Sequence, residues 1–227
     1  MPVEYVYIVF QIIAFLFAIS VHESAHAWMA NLRGDPTARM LGRITLNPIK
    51  HIDPVGSVLL PLIGLFSPAH TLFGWAKPTP VNPRNFRNPV LDDVLTSIVG
   101  PISNFAVACS ATSVLLIVKL TSGTGRTIVD QIVGPNPLRS QSALVPFCVL
   151  IYELLVINVL LGVFNLIPVP PLDGSHVLRH FLPEPLRRAY DMLGVFGLLI
   201  LVYFGGGILA RVLDPVLGLF ESLLYKA

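Results

Sequence analysis

The chain has few charged residues, few cysteines and almost no excess of charge of either sign. Only 12% of its 227 residues are Asp, Glu, Lys or Arg, whereas ordinary globular domains carry roughly a quarter. Because 54% of the residues are hydrophobic, the sequence indicates an integral, multi-pass membrane protein rather than a soluble domain. The net charge of +2 gives no support for a nucleic-acid partner. Two cysteines far apart in apolar stretches, Cys109 and Cys148, argue against a disulfide framework or a thiolate metal site.

Five stretches nearly free of charge organise the chain. Each is close to or above the roughly 20 residues that a helix needs to cross a bilayer. They are residues 5–21, 55–76, 94–118, 140–172 (interrupted by Glu153) and 192–210. The first runs into a polar motif and not into a signal-peptide cleavage site, so we expect it to remain as a helix. The sequence therefore predicts an all-α polytopic membrane protein with about four to six membrane segments, built as one integral-membrane domain over residues 1–227.

The region between the first and third stretches is less regular. Alternating apolar and polar residues in Arg39–Asn47 predict a small membrane-associated β element. It is either an edge strand that pairs with a substrate or a small closed sheet without a substrate role. Prolines and glycines in residues 55–73 would interrupt a spanning helix, which predicts a re-entrant segment there. Residues 74–89 are rich in Pro and Asn and are predicted to be extended.

Basic residues predict the orientation of the chain. Ten Lys and Arg follow the first stretch, precede the third or precede the last, against three between residues 119 and 141. Since basic loops stay on the cytoplasmic side, we expect the amino terminus outside and the end of the first helix inside a prokaryotic plasma membrane. The tail over residues 209–227 is compatible with a further crossing, an interfacial helix or an assembly contact.

The first stretch ends in the pattern H-E-x-x-H, at His22, Glu23 and His26. Two histidines four apart on a helix can reach one metal ion, and the intervening glutamate can take a proton from a metal-bound water. Such residues are costly inside a membrane and are usually functional. The alternative is a polar seam that packs helices together or lines a proton path.

A catalytic zinc ion has three protein ligands and one open position. The best candidate for the third ligand is Asp173, which follows three helix-breaking prolines in the run from Asn165 to Gly174. The alternative is an ordinary Asp-Gly turn where the chain leaves the membrane. If Asp173 meets His22 and His26, the third and fourth stretches must each cross once, and residues 55–73 must make no net crossing.

These motifs closely resemble those of the site-2 protease family of intramembrane zinc metalloproteases. The resemblance rests on the H-E-x-x-H pattern, on Gly100-Pro-Ile-Ser-Asn104, and on Asn165-Leu-Ile-Pro-Val-Pro-Pro-Leu-Asp-Gly174. It implies that His22, His26 and Asp173 bind one Zn²⁺ per chain and that Glu23 is the catalytic acid and base. Similarity to the smaller prokaryotic branch implies a domain without an appended PDZ or CBS module.

The resemblance also implies the reaction. A zinc endopeptidase of this family uses zinc-activated water and a Glu general base to hydrolyse a peptide bond within or next to a transmembrane helix. The substrate is a single-pass or other transmembrane protein in the lipid bilayer, as in regulated intramembrane proteolysis. The alternative is a membrane transporter or metal carrier that uses the same His and Asp cluster, but it assigns no task to Glu23.

Several other polar residues have open interpretations. Asn104 and Asn165 are predicted to line the site or to donate to an oxyanion, and interhelical hydrogen bonding is the alternative. His51 is interpreted as a solvated or loop-capping histidine, with metal ligation as the alternative. Glu153 is compatible with a protonated, paired or cavity-lining carboxyl, and His176 and His180 are expected to face water.

Overall fold

The computed structural model describes residues 3–66, 74–134, 138, 140–204 and 206–226. Within these residues the protein is helical and contains no strand. The α-helices are α1 (Val3–Arg33), α2 (Thr37–Met40), α3 (Leu60–Phe66), α4 (Pro89–Thr121), α5 (Gly123–Val133), α6 (Leu144–Asn165), α7 (Asp173–Arg179), α8 (Glu184–Phe204) and α9 (Gly206–Lys226). Short 3₁₀ turns occupy Pro48–Lys50 and Pro83–Asn85, and a π-helical turn over Pro54–Leu59 leads into α3.

Three helices in the described part of the chain are long and apolar enough to cross a membrane. They comprise Val6–Arg33 of α1, Pro89–Thr121 of α4 and Leu144–Asn165 of α6. This is fewer than the four to six segments predicted from charge-free stretches. The predicted span over residues 192–210 is instead divided between α8 and α9, and α8 itself is broken at Gly194, whose φ is +44°.

The three spanning helices pack against one another. Helix α4 contacts both α1 and α6, and α1 contacts α6. Small residues occupy the buried face of α1, where Ala14 and Ala18 are fully buried, and such residues let helices approach closely in a membrane. The opposite face of α1 exposes Val9, Ile13 and Phe17 at helical spacing. This face is suited to lipid, and the packed faces hold the polar residues of the site.

The predicted β element is not present. Arg39 belongs to α2, and residues 41–47 form turns in place of a strand. Gly42 has a φ of +67°, and the backbone N–H of Arg43 returns to the Ala38 carbonyl at 2.9 Å. Because these local hydrogen bonds use the backbone groups that a strand would offer to a neighbour, the alternating pattern does not produce a sheet. The proposed pairing of this stretch with a substrate therefore loses its basis.

Two parts of the segment between α2 and α4 lie next to each other. The N–H of Trp75 donates to the Gly56 carbonyl at 3.1 Å, and the Ser57 hydroxyl donates to the Trp75 carbonyl at 2.7 Å. The two ends of the predicted re-entrant segment, residues 55–73, therefore lie side by side. Residues 67–73 of that segment lie outside the described residues, so the re-entrant path stays a prediction. Residues 74–82 have no regular secondary structure, and a 3₁₀ turn at Pro83–Asn85 interrupts the stretch 74–89 that was predicted to be extended.

The carboxy-terminal helix α9 packs against α6 and α5. The buried Lys119 ammonium of α4 donates to the Asp130 carboxylate at 2.7 Å and to the Leu224 carbonyl at 2.6 Å. A cation at a helix carboxyl end satisfies carbonyls that have no partner within the helix. This contact fixes the end of α9 to α4 and α5.

Candidate metal centre and active site

Two histidines lie one turn apart on α1, toward the carboxyl end of the helix. Residues four apart on an α-helix are neighbours on one face, and the Nε2 atoms of His22 and His26 are 3.0 Å apart. Both residues are buried, with 7% and 8% of their surface exposed. Helix α1 therefore presents two imidazoles to one point inside the protein.

Asp173 reaches the same point from the other end of the chain. It is the first residue of α7, after the proline-rich loop that follows α6. Its Oδ2 atom lies 3.1 Å from His22 Nε2 and 3.3 Å from His26 Nε2. Asp173 can therefore offer a carboxylate oxygen to an ion that both imidazoles also reach.

The other ring nitrogens of the two histidines show which nitrogen carries the proton. His22 Nδ1 lies 2.6 Å from the Asn104 side-chain oxygen, and His26 Nδ1 lies 2.6 Å from the Thr96 carbonyl oxygen. The Asn104 amide is oriented by its Nδ2, which donates to the Asn158 side-chain oxygen at 2.8 Å. Because both partners of the histidines are acceptors, each Nδ1 donates, and each Nε2 is the nitrogen that faces the cluster and can bind a metal. Such partners orient histidine ligands in metal sites.

These residues fit a zinc ion. The Nε2 atoms of the two imidazoles and one carboxylate oxygen point to the same place. A cation bound between them would offset the repulsion between these electron-rich atoms. The Asp173 Oδ2 is buried and has no hydrogen-bond partner among the described residues. Among the described residues, His22, His26 and Asp173 form a group whose possible metal-ligand atoms all lie within 4.8 Å of one another. Two histidines and a carboxylate are a known ligand set of catalytic zinc.

Gly100 of α4 leaves the space that this cluster needs. A Cβ atom at Gly100 would lie 2.4 Å from His26 Nε2 and 2.7 Å from His22 Cε1. Both distances are shorter than any normal contact between carbon and these atoms. A residue larger than glycine would therefore push into both imidazole rings.

Glu23 lies between the two histidines in the chain and is buried, with 9% of its surface exposed. Its Oε2 accepts hydrogen bonds from the backbone N–H of Thr79 at 2.8 Å and from the Thr79 hydroxyl at 2.6 Å. A carboxylate held beside a candidate metal centre is the arrangement needed for proton transfer during hydrolysis.

Comparison with known proteins agrees with this geometry. The model of peptidase family M50, the site-2 protease family, matches residues 10–204. The chain belongs to this family. It is 35% identical over 217 residues to "Putative zinc metalloprotease YwhC" of Bacillus subtilis, covering 95% of this chain and 89% of the relative. It is 29% identical over 202 residues to "Putative zinc metalloprotease Rip2" of Mycolicibacterium smegmatis, covering 88% and 68%. No solved structure is significantly similar to the chain.

Family membership confirms several sequence predictions. The M50 family and the relatives' names identify the chain as a zinc metalloprotease, and its apolar helices agree with an integral membrane protein. The two amides of the family motifs have different surroundings in this M50 protease. Asn104 is fully buried. Its Oδ1 accepts from His22, and its Nδ2 donates to the Asn158 side-chain oxygen and to the Ala18 carbonyl at 3.3 Å, so both of its donors are used within the protein. Asn165 is half-buried and donates to the Leu161 carbonyl at 3.0 Å.

Two polar residues with open interpretations lie outside the metal cluster. His51 is fully buried, and its Nε2 lies 2.8 Å from the Thr45 carbonyl, so it holds the turns between α1 and α3. These contacts agree with the prediction that His51 caps a loop. They do not agree with a solvated histidine, because the residue is buried. Glu153 is buried in α6, and the Gln11 side chain of α1 lies near its carboxyl group.

His176 and His180 were predicted to face water, but both contact Asp93. His180 Nε2 lies 2.8 Å from one oxygen of Asp93, and His176 Nδ1 lies 3.4 Å from the other. Asp93 belongs to the first turns of α4, whereas the two histidines belong to α7 and its carboxyl end. This three-residue contact clamps α7, which begins with Asp173, onto α4.

Sequence reasoning missed Thr79, Thr96 and Asp93. Thr96 contributes a backbone carbonyl, which no residue type can signal. Thr79 lies in the stretch recognised only as extended and rich in proline. For Asp93, a signal was available. His176 and His180 are four residues apart, which places them on one helix face and predicts a common partner.

Proposed function

We propose that this M50 protease hydrolyses a peptide bond within or next to a transmembrane helix of a membrane-protein substrate. The proposal rests on one observation. His22 and His26, on the apolar and membrane-length helix α1, meet Asp173 of α7, and Glu23 lies between the two histidines in the sequence. Buried ionisable groups at such a position are normally functional.

His22, His26 and Asp173 hold one zinc ion per chain through two Nε2 atoms and one carboxylate oxygen. When bound, zinc acts as a Lewis acid that polarises the scissile carbonyl and lowers the pKa of water to about 7. Asn104 and the Thr96 carbonyl keep each histidine in the tautomer that leaves Nε2 free for the metal.

Glu23 moves the proton. Its carboxylate accepts a proton from the attacking water as the new carbon–oxygen bond forms at the scissile carbonyl. The resulting carboxylic acid then donates this proton to the amide nitrogen as the carbon–nitrogen bond breaks, which leaves a carboxylic acid and an amine and regenerates Glu23. One water is consumed for each bond cleaved.

The active site lies toward the cytoplasmic side of a prokaryotic plasma membrane. The bias of basic residues supports this orientation, and so does the placement of the histidines near the carboxyl end of α1. The hydrogen bond between Trp75 and Gly56 supports a re-entrant path for residues 55–73 without a net crossing. That path allows Asp173 to return to the side and depth of His22.

The experiment compares Glu23→Gln, Asp173→Ala and the wild type, purified in detergent. Asp173→Ala should lose zinc, whereas Glu23→Gln should keep zinc and lose at least about 10²-fold in cleavage of a reporter with one membrane segment. Glu184→Gln, an exposed glutamate at the start of α8, is the control and should behave as the wild type. A carrier would keep most of its metal transport after Glu23→Gln, and cleavage by Glu23→Gln at the wild-type rate would refute the proposal.

A further inference from the structure

The segment that carries Thr79 lies beside Glu23 and is held on both sides of Thr79. On one side of Thr79, the Lys77 N–H donates to the His51 carbonyl at 2.8 Å. On the other side, the Asn82 N–H donates to the Asp35 carboxylate at 2.7 Å. His51 and Asp35 are both fully buried. Because hydrogen bonds to buried groups flank it on both sides, the position of Thr79 over α1 is set by the fold.

Thr79 directs both of its donors to one oxygen of Glu23. The backbone N–H and the hydroxyl lie 2.8 Å and 2.6 Å from Oε2, and the same hydroxyl lies 3.0 Å from the Glu23 carbonyl. The Thr79 hydroxyl has one proton to donate. Its contact with Oε2 is shorter than its contact with the carbonyl, and hydrogen bonds to a carboxylate are the stronger ones, so the hydroxyl donates to Oε2. Both hydrogen bonds from Thr79 to this carboxylate end on Oε2, and neither engages Oε1.

We infer that Thr79 is a positioning residue for the proteolytic reaction, an inference that rests on the proposed function of Glu23. Its hydroxyl and N–H hold Oε2 so that the Glu23 side chain keeps one rotamer, with Oε1 turned toward the proton that it must accept. Effective proton transfer needs the base within hydrogen-bond reach of that proton. Thr79 therefore acts through Glu23.

The test separates the hydroxyl from the shape of the side chain. Thr79→Val keeps the branched shape and the backbone N–H but removes the hydroxyl, whereas Thr79→Ser keeps the hydroxyl. With a quenched-fluorescent peptide containing one membrane segment, Thr79→Val should lower kcat about tenfold, part of the roughly 10²–10⁴-fold contribution of a positioned base. KM and zinc content should stay unchanged, and Thr79→Ser should recover most of kcat. Thr127→Val, an exposed α5 threonine that bonds only its own helix, is the matched control.

A second measurement needs no cleavage. Acetohydroxamate chelates zinc and requires an acceptor for its acidic proton, so its affinity for the zinc-loaded protein reports the position of the Glu23 carboxylate. By calorimetry, Thr79→Val should bind it about tenfold more weakly than the wild type, as expected for the loss of a hydrogen bond to a charged group. Thr79→Ser should bind it about as tightly as the wild type.

The outcomes distinguish this inference from the proposed function. A wild type that cleaves no membrane peptide would count against the proposed function, and acetohydroxamate binding then decides the role of Thr79. Wild-type kcat and affinity in Thr79→Val would overturn the inference, and so would Thr79→Ser behaving like Thr79→Val. A faster Thr79→Val would overturn it as well, because it would identify Thr79 as a latch that blocks the base.

Discussion

Replacing Gly100 by alanine should abolish the metal centre without unfolding the protein. The added Cβ would lie 2.4 Å from His26 Nε2, 2.6 Å from His26 Cε1 and 2.7 Å from His22 Cε1. Ordinary contacts of carbon with such atoms lie at about 3.5–4.0 Å, so each ring must move by about 1 Å. Zinc–nitrogen bonds are about 2.0–2.1 Å long and tolerate changes of only about 0.2 Å.

The displacement acts on both histidines at once, so the loss of zinc affinity should be large. Disturbing a group that merely orients one ligand costs roughly 10–100-fold in metal affinity, and moving two ligands should exceed this range. The assay is zinc retention by the purified protein against a competing chelator, with helix content followed by circular dichroism. Alanine favours a helix over glycine by about 1 kcal/mol, so the helix α4 itself should persist.

Gly218→Ala is the matched control, because Gly218 also lies inside a helix, α9, and a Cβ there meets nothing within 4 Å. It should bind zinc as the wild type does. The reasoning is refuted if Gly100→Ala retains zinc as tightly as Gly218→Ala. A loss of helix content in Gly100→Ala alone would also contradict it, since the steric conflict would then disrupt the fold and not the cluster.

Two further predictions concern the supports of the site. Asp93→Ala should release His176 and His180, loosen α7 and lower zinc affinity about tenfold in the same chelator assay; Asp191→Ala, which breaks the exposed Arg179 ion pair, should not. At Asp35, burial alone would raise the pKa, but hydrogen bonds from Thr37, Asn85 and Asn82 outweigh it and lower the pKa. This carboxylate therefore stabilises the fold above its unfolded pKa of about 3.9, and the contribution is lost as pH falls below that value. Thermal unfolding should show a shallower acid decline for Asp35→Asn, and an equal decline would contradict the assignment.

Local patterns predicted the parts of the structure that depend on neighbouring residues. The spacing of His22 and His26 places two imidazoles on one helix face, and apolar runs nearly free of charge mark the spanning helices α1, α4 and α6. The abundance of proline indicated the absence of a long helix after residue 74, but not the 3₁₀ turn at Pro83–Asn85. Prediction failed for residues 39–47, because a strand needs a partner and Gly42 turns this chain back on itself.

The sequence alone predicted which chemistry the protein can perform, since an H-E-x-x-H helix and a distant Asp offer two imidazoles, a carboxylate and a candidate base. Only the tertiary structure decided what supports that chemistry. The partner of His22 is Asn104 of α4, the partner of Glu23 is Thr79, and α7 is held by Asp93. Helical spacing is encoded within four residues, whereas these contacts join distant segments and arise only when α1, α4 and α6 pack together.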